Sequence, residues 1–325
     1  MPGMNTTALA DTIKTQYETR LLTRALPRMV HAKWATQGRL TKAGSYEIRK
    51  FSSMPLITSA LYEGTTPSEQ DAPSISKITM TPAWYGSWIS YNDKLEMEAF
   101  DPIISETSAI LGEQCGISLD TLCRNTMTSG ATKRYSGTSP DRAGLDTTAD
   151  KISYADFVGA VAALKLQNAL PAEGELFPVI MHPMTWAQLM QDDIFVALFT
   201  RSTPEVMKTG NMGQILDCSI YVSSNARTYI DGGTSGADVY SMLFVGKESY
   251  ATAGVTGLEA NLVNDSGENN TGKSVSPVSI IVKDLGETGL DPLNQRGTIG
   301  WKASYTDAIL NSSWIVDLEN VTQYS

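Results

Sequence analysis

The stretch from Phe100 to Gly130, FDPIISETSAILGEQCGISLDTLCRNTMTSG, constrains the fold more than any other part of the chain. It predicts one long helix with both ends written into the sequence. Asp101 suits the N-cap position, where its carboxylate accepts orphan backbone N–H groups. Pro102 then falls at the first helical position, where a missing donor is harmless. Gly130 supplies a left-handed stop. Ile103, Ile104, Ile110, Leu111, Cys115, Ile117, Leu119 and Leu122 recur at helical spacing, with Glu106, Glu113, Asp120 and Arg124 on the opposite face. That polar stripe is narrow, so most of the circumference is expected to be covered. A helix of this length spans roughly 40 Å, more than a compact single-core domain gives to one element. It suits a spine along which other elements lie.

The 325 residues allow one large or two modest domains with a real core. A composition 42% hydrophobic and 18% charged is that of a folded protein, and no apolar run approaches the length needed to span a bilayer. The start MPGMNTTALADTIK lacks the basic-then-apolar order of a secretion signal, which points to cytoplasmic synthesis. Of the three cysteines, Cys115 and Cys123 lie roughly 12 Å apart along one predicted helix, beyond disulfide reach. With Cys218 they are expected to be reduced, buried and small. The net charge of -10 conceals an asymmetry: residues 1–50 carry nine Lys or Arg and three Asp or Glu, net +6, leaving -16 for the rest. A basic arm on an acidic body is self-complementary between copies, and the arm's charges are too spread out for a nucleic-acid anchor.

In the N-terminal segment Leu9, Ile13, Tyr17, Leu21 and Ala25 recur at steps of four, predicting an amphipathic helix ended by Pro27, with a second short helix in PRMVHAKWATQ. Two readings stay open for this arm, an ordinary packed helix or a reach to a neighbouring subunit. His31 has no other histidine, carboxylate or cysteine near it in sequence and reads as a packed or solvated side chain. From Ser45 the period changes to two, with Tyr46 and Ile48 on one side and Glu47 and Arg49 on the other. A returning strand is predicted in SKITMTPAW, where Ile78 and Met80 alternate with Lys77, Thr79 and Thr81. The connection from Ser52 to Ser76 contains Gly64, Pro67 and Pro73 and far exceeds a hairpin loop. It is either a floppy surface loop or an arm ordered by lying on another molecule. Trp84, Tyr85, Trp88 and Tyr91 are expected to pack in the core or sheet, because they lack the interleaved basic residues of a stacking platform.

After the spine, GATKRYSGTSPDRAGLDTTAD reads as a loop. Ser153 and Asp156 have capping-box spacing before a helix carrying Val158, Val161, Ala162 and Leu164, stopped at Pro171. A buried strand LFPVIMHP, a helix MTWAQLMQDDIFVALF and strands at CSIYVSS, DVYSMLFVG, VSIIVKDL, GTIGWKASY and SSWIVDLE follow. Helices and strands intermix without a regular strand-helix repeat, which argues for an α+β architecture.

The chemistry is mostly absent. His31 and His182 have no zinc-pair or facial-triad spacing, no serine sits in a G-x-S-x-G elbow, and there is no Cys-x-x-Cys. His182, before Pro183, reads as a structural turn residue. GENNTGKS, Gly267 to Ser274, matches the phosphate-cradling G-x-x-x-x-G-K-S. That motif must open a helix, yet Pro277 and the β-branched VSIIV that follow describe a strand, so a polar hairpin loop is the reading adopted. No catalytic, metal or cofactor residue is assigned, and the chain is read as a non-enzyme.

The runs LPRMVHAKWATQ, EGTTPS, ITMTPAWYGSWISYNDKLEMEAFDP, LGEQCGISLDTLCRN, GNMGQILDCSIYVSSNA, LFVGKESYA, DPLNQRGTIGWK and ILNSSWIVDLE, with the HP after VIM, resemble in order the major capsid proteins of tailed phages, specifically the N-four-type family. The resemblance covers nearly the whole chain and implies the Hong Kong 97-type fold. It implies an N-terminal arm over 1–44, an extended two-stranded loop over 45–96, and a peripheral domain over 97–170 and 266–325 whose spine helix runs over about 101–129. An axial domain would occupy 171–265. The implied role is self-assembly, through hexamers and pentamers, into an icosahedral virion shell that encloses double-stranded DNA without sequence-specific binding. Portal and scaffolding or decoration proteins are implied partners, assembly is expected in the host cytoplasm, and no membrane is involved. The expected intersubunit contacts are Arg20 and Arg24 on the arm with Arg49, Glu63 and Lys77 on the loop. Lys77 and Glu63 belong to no crosslinking motif, so assembly is expected to be non-covalent. Bacterial nanocompartment shells share this fold and remain one alternative, and a nucleotide-binding enzyme resting on Gly267 to Ser274 is the other.

Overall fold

The computed structural model describes residues 29–40, 44–52, 72–98, 103–202, 214–255, 278–283 and 295–324, with isolated positions between 54 and 66 and position 293. In chain order the elements are β1 (Thr36–Leu40), β2 (Tyr46–Phe51), β3 (Ile75–Met80), β4 (Ala83–Asn92), α1 (Asp93–Glu98), α2 (Ile103–Gly130) and β5 (Thr132–Tyr135). There follow α3 (Tyr154–Leu166), β6 (Phe177–Met181), α4 (Pro183–Leu189), α5 (Asp193–Ser202), β7 (Gln214–Ile215), β8 (Cys218–Val222) and β9 (Thr228–Tyr229). The last five are β10 (Val239–Val245), β11 (Tyr250–Val255), β12 (Val278–Lys283), β13 (Arg296–Ile309) and β14 (Ile315–Asn320). Among the described residues no helix is long and apolar enough to cross a membrane.

A strand that reads as a continuous apolar run needs cover on both faces. The run VYSMLFV of β10 is buried at all seven positions and sits inside a seven-stranded mixed sheet ordered β5-β14-β10-β6-β8-β7, with β9 added to β10. Met242 and Phe244 face one core with Phe157 and Leu164 of α3 and Phe195 of α5, where Phe157 meets Phe244 edge-on at 5.1 Å. Leu243 and Val245, on the other face, join Leu111, Cys115, Leu119 and Cys123 of α2. The second sheet runs β1-β11-β13-β12, with β4 also paired to β13. It closes over α2 through Ile299, Trp301, Ala303 and Tyr305. The spine is therefore wedged between two sheets. β2 and β3 form a separate two-stranded ladder from Tyr46↔Met80 to Phe51↔Ile75, rooted by Met80 on Ala251 and Ala253 of β11.

The spine helix is present, 28 residues long, or about 42 Å at the standard rise. Its expected N-cap, Asp101 with Pro102, lies outside the described residues. Gly130 does not take the left-handed conformation expected of it: it is the last helical residue and is not among the positive-φ glycines. Its role is close approach, since a Cβ there would lie 2.4 Å from Ile309 Cγ1 of β13. The helix is also rotated from the expected polar stripe. Asp120 is fully buried, while Ile110 and Ile117 are exposed.

Several local expectations need correction. The short helix in PRMVHAKWATQ is a turn at 31–34 followed by β1, because Thr36 to Leu40 pair in parallel with Ala251 to Val255 and that ladder overrides local propensity. The single helix through MTWAQLMQDDIFVALF breaks in two at Asp192. Its carboxylate accepts the Ile194 N–H at 2.9 Å and, from the start of α3, the Tyr154 N–H at 2.8 Å. The loop after the spine contains β5, paired in parallel with β14. Helix α3 stops at Leu166, where Asn168 turns left-handed at φ 52, and not at Pro171. Its capping box forms as expected, with the Ser153 N–H donating to Asp156 at 3.0 Å. Strand β11, with its alanines and glycine, carries little strand signal, and periodicity does not mark it.

Candidate functional site

The resemblance directs attention to surfaces, and the described residues hold no group of three or more His, Cys, Asp or Glu able to bind a metal ion. The first surface is the β2–β3 ladder. Two strands alone are marginal in water, and this pair keeps large apolar side chains in solvent: Phe51 and Ile75 at its end, Met54, Leu56 and Ile57 beyond it. Leu56 is 87% exposed. Arg49 stands opposite Lys77 in the register, a like-charge pair that weakens an isolated ladder. Lys77 is answered by Glu47 at 3.5 Å, whereas Arg49 has no ion-pair partner among the described residues. Glu63 lies exposed at a turn completed by Gly64 at φ 79. The structure thus gathers Arg49 and Lys77 on one ladder with Glu63 in its connection; Arg20 and Arg24 lie outside the described residues.

The second surface is the face of the second sheet turned away from α2. Tyr91 is buried as expected, but Trp84 and Trp88 are exposed at 53% and 69%, against the expectation that this cluster packs inside. Alternation explains the split, since Trp84, Gly86 and Trp88 share one face and Tyr91 the other. Pairing then brings Gly300 opposite Trp88 and Lys302 opposite Gly86 from β13, and Ile281 opposite Gly300 from β12. The Lys302 ammonium lies 4.4 Å from the Trp84 ring centroid. These residues line a groove of about 380 Å³. The basic residues missing from the local sequence are supplied about 200 positions away, where no local pattern could reveal them.

The third feature fixes where the N-terminal segment leaves the body. The His31 backbone N–H donates to Asp120 Oδ1 at 2.7 Å, and its Nδ1 meets Oδ2 at 2.7 Å, both residues being fully buried. Asn225 Nδ2 donates to the same carboxylate at 2.8 Å and is itself held by Arg124. The Tyr250 hydroxyl donates to the His31 carbonyl. Beside this anchor Lys33 lies 3.6 Å from Glu173 and 4.5 Å from the Tyr221 ring. Burial works against the Glu173 carboxylate, but the Tyr221 and Ser219 hydroxyls and Lys33 outweigh it and hold the carboxyl below its usual range. His31 is thus a packed histidine, and its partner lies 89 residues away.

A second buried network runs through β14, where Asp317 and Glu319, both fully buried, alternate with the buried Val316 and Leu318. Lys133 reaches Asp317 at 2.5 Å and Glu319 at 2.8 Å, and Arg142 grips Glu319 with two 2.6 Å bonds. Burial pushes the Asp317 carboxyl up, while for Glu319 the Arg142 and Lys133 bonds outweigh burial and hold it down. Such pairs cost desolvation energy and serve here to fix β5 and the 136–150 loop against the sheet.

The remaining sequence candidates are inert. All three cysteines are free and buried, and burial pushes the Cys115 and Cys218 thiols up to about 12. His182 caps α4, its Nδ1 accepting the Met184 N–H at 3.2 Å. The glycine-rich stretch 267–274 lies outside the described residues, but the chain after it is strand β12 and not the helix a phosphate loop requires.

The model of the phage capsid protein family matches residues 76–315. No curated protein matches by sequence. Among solved structures, the cyanophage Pam1 capsid is similar with a TM-score of 0.65 at 11% identity, over 92% of this chain and 92% of that one. The capsid of the cyanophage P-SCSP1u is similar with a TM-score of 0.64 at 13% identity, over 89% of this chain and 87% of that one. A virus-like particle from Pyrococcus furiosus is similar with a TM-score of 0.51 at 12% identity, over 92% and 96%. The fold shared with them is the Hong Kong 97-type: α+β, with an N-terminal arm, an extended loop, a peripheral domain built on the spine, and an axial domain.

Proposed function

This chain belongs to the phage capsid protein family, and from that premise we propose that its copies close, through hexamers and pentamers, into an icosahedral shell around packaged double-stranded DNA. It is a shell-forming major capsid protein. The observation that carries the proposal is the β2–β3 ladder with Leu56 and Ile57 in solvent, because one protomer leaves this apolar surface uncovered and another copy supplies the cover. We assign residues 1–44 to the arm, 45–96 to the extended loop, 97–170 and 266–325 to the peripheral domain and 171–265 to the axial domain. Arg20, Arg24, Arg49, Glu63 and Lys77 are proposed intersubunit contacts, made without covalent crosslinks.

The role is structural. We propose no catalytic activity and no cofactor, assembly in the host cytoplasm, and a portal with scaffolding or decoration proteins as further partners. DNA is confined by a mostly acidic body and is not gripped by it. Electron microscopy of the purified protein tests the reading: closed icosahedral particles are expected, and a protein that stays monomeric at all concentrations and salts overturns it. The similarity to the Pyrococcus furiosus virus-like particle favours a second reading, a shell without a phage genome. Nuclease-protected double-stranded DNA in particles isolated from infected cells supports the first reading, and protein cargo without DNA supports the second.

A further inference from the structure

We propose that Asp307 is a proton-operated clasp between the spine helix and the second sheet: as a neutral acid it closes the seam between them, and as a carboxylate it leaves the seam loose. The proposal goes beyond shell formation and stands or falls on the single protomer.

The seam is pinned at two neighbouring points. At the end of α2, Gly130 comes so near β13 that a Cβ on it would lie 2.4 Å from Ile309 Cγ1. One turn earlier, the Thr126 hydroxyl donates to Asp307 Oδ1 at 2.9 Å. The other carboxylate oxygen, Oδ2, is out of solvent and has no hydrogen-bond partner among the described residues. Two more orphans stand beside it. Tyr305, two positions back on the same face of β13, and Thr252, directly opposite Asp307 on β11, are each 1% exposed, and neither hydroxyl has a partner among the described residues.

Other buried carboxylates of this chain have basic partners. Asp317 lies against Lys133, Glu319 against Lys133 and Arg142, and Asp120 against His31. Asp307 has none among the described residues. What faces it is neutral: Cys123 and Thr126 from the spine, Tyr250 and Thr252 from β11, and Tyr305 from its own strand. Burial pushes the Cys123 thiol and both tyrosine hydroxyls well above their ordinary values, so none of them changes charge where a carboxyl does. Farther up the spine, Asp120 and His31 are bonded to each other.

A hydroxyl both donates and accepts, so the same hydroxyls serve both states of the carboxyl. Ionised, Asp307 puts a charge without a cation into a buried seam, which burial penalises. Protonated, its O–H becomes a donor for Tyr305 Oη or Thr252 Oγ1, and one proton satisfies two orphan atoms. Burial accordingly pushes the Asp307 carboxyl above its ordinary range, over the opposing pull of the Thr126 and Tyr305 hydroxyls. As pH rises past the ordinary value of 3.8, the unfolded chain gives up this proton first. Stability therefore falls until the folded carboxyl has ionised as well, and is level above that. Acid tightens the joint between spine and sheet.

The test compares wild type with Asp307→Asn, which keeps an acceptor for Thr126, supplies the donor and is neutral at every pH. The Asn protomer is expected to melt about 2 °C or more above wild type at pH 8, with the gap closing as pH falls to 4. A gap that does not change with pH overturns the clasp. Hydrogen exchange locates the effect. After correction for the intrinsic rate, spine amides at 123–130 of wild-type protein should slow about threefold or more relative to those of α3 between pH 8 and pH 5, and those of the variant should not. Equal slowing of the two helices in wild type overturns the proposal even if the variant misfolds.

Discussion

Asp120→Ala tests whether the buried network at the middle of the spine holds the N-terminal segment. The carboxylate receives three hydrogen bonds, from the His31 backbone and ring and from Asn225, at 2.7 to 2.8 Å, and both His31 and Asp120 are fully buried. Truncation strands those donors away from water, at roughly 1–3 kcal/mol for each group that finds no substitute. Three donors are stranded, and partial relaxation around the vacated carboxylate keeps their sum near its low end. About 3–5 kcal/mol is therefore expected. Asp120→Asn keeps an acceptor for the His31 backbone N–H and the side-chain volume, so about 1–2 kcal/mol is expected there. With roughly 1.5 °C per kcal/mol for a chain of 325 residues, melting of the unassembled protomer should drop by about 4–8 °C in the alanine variant. Proteolytic cleavage should appear near residues 29–36 before global unfolding, because the anchor is local. A double-mutant cycle with His31→Ala should show a coupling of at least about 1 kcal/mol. Melting within 2 °C of wild type, or additive effects in the cycle, would refute the reasoning.

Replacing residues 53–73 with Asn-Gly should leave the β2–β3 ladder intact, since the Ser52 N–H already donates to the Ser74 carbonyl at 2.9 Å, and a two-residue turn closes such a pair. Protomer circular dichroism should match wild type while sedimentation shows no shells. Burial lowers the His182 pKa, so the unfolded chain takes up a proton first as pH falls through its ordinary value of 6.5, and stability falls with it. His182→Asn, which can still cap Met184, should flatten the melting profile between roughly pH 7 and pH 5. Lys273→Ala should change neither assembly nor melting, and saturable ATP binding abolished by that change would contradict the non-enzymatic reading. Arg20→Glu with Arg24→Glu should reduce shell yield more at low salt than at high salt, since exposed charges act over roughly 10 Å at ordinary ionic strength; a salt-independent yield would show that the arm is not an electrostatic tether.

The sequence made legible what is local or periodic. The spine, the capping box of α3, the alternation of β2 and β3, and the buried runs of β6 and β10 each carry their signal within ten to thirty residues. Features that depend on pairing were not legible. β1 reads as helix until β11 is laid beside it, and β11 itself has too few β-branched or aromatic residues to announce a strand. The polar stripe on α2 misled because Asp120 counts as a surface residue in any pattern, whereas His31 and Asn225 make it a core one. The surfaces suffered most. Trp84 and Trp88 look like core by composition, and only the register with β13 shows that their side faces away from the spine.

That last point bears on why the chain keeps large apolar side chains in solvent. For a monomer, Trp88, Leu56, Ile57 and Phe51 are a liability, because uncharged edge strands and exposed apolar patches invite indiscriminate association. Strand β4 runs ten residues, AWYGSWISYN, without a single charge and is paired only to β13 among the described residues. Such an edge is tolerable when its partner is specified by something other than apolarity. Here charge can supply the specification: the cations of β12 and β13 face the same side as the tryptophans, so an acidic partner surface would be favoured there and a basic one disfavoured. Apolar area then supplies affinity and charge supplies choice. A contact divided in this way weakens as salt rises without disappearing, so a shell built from many copies of it can release a misplaced subunit before the rest of the ring commits.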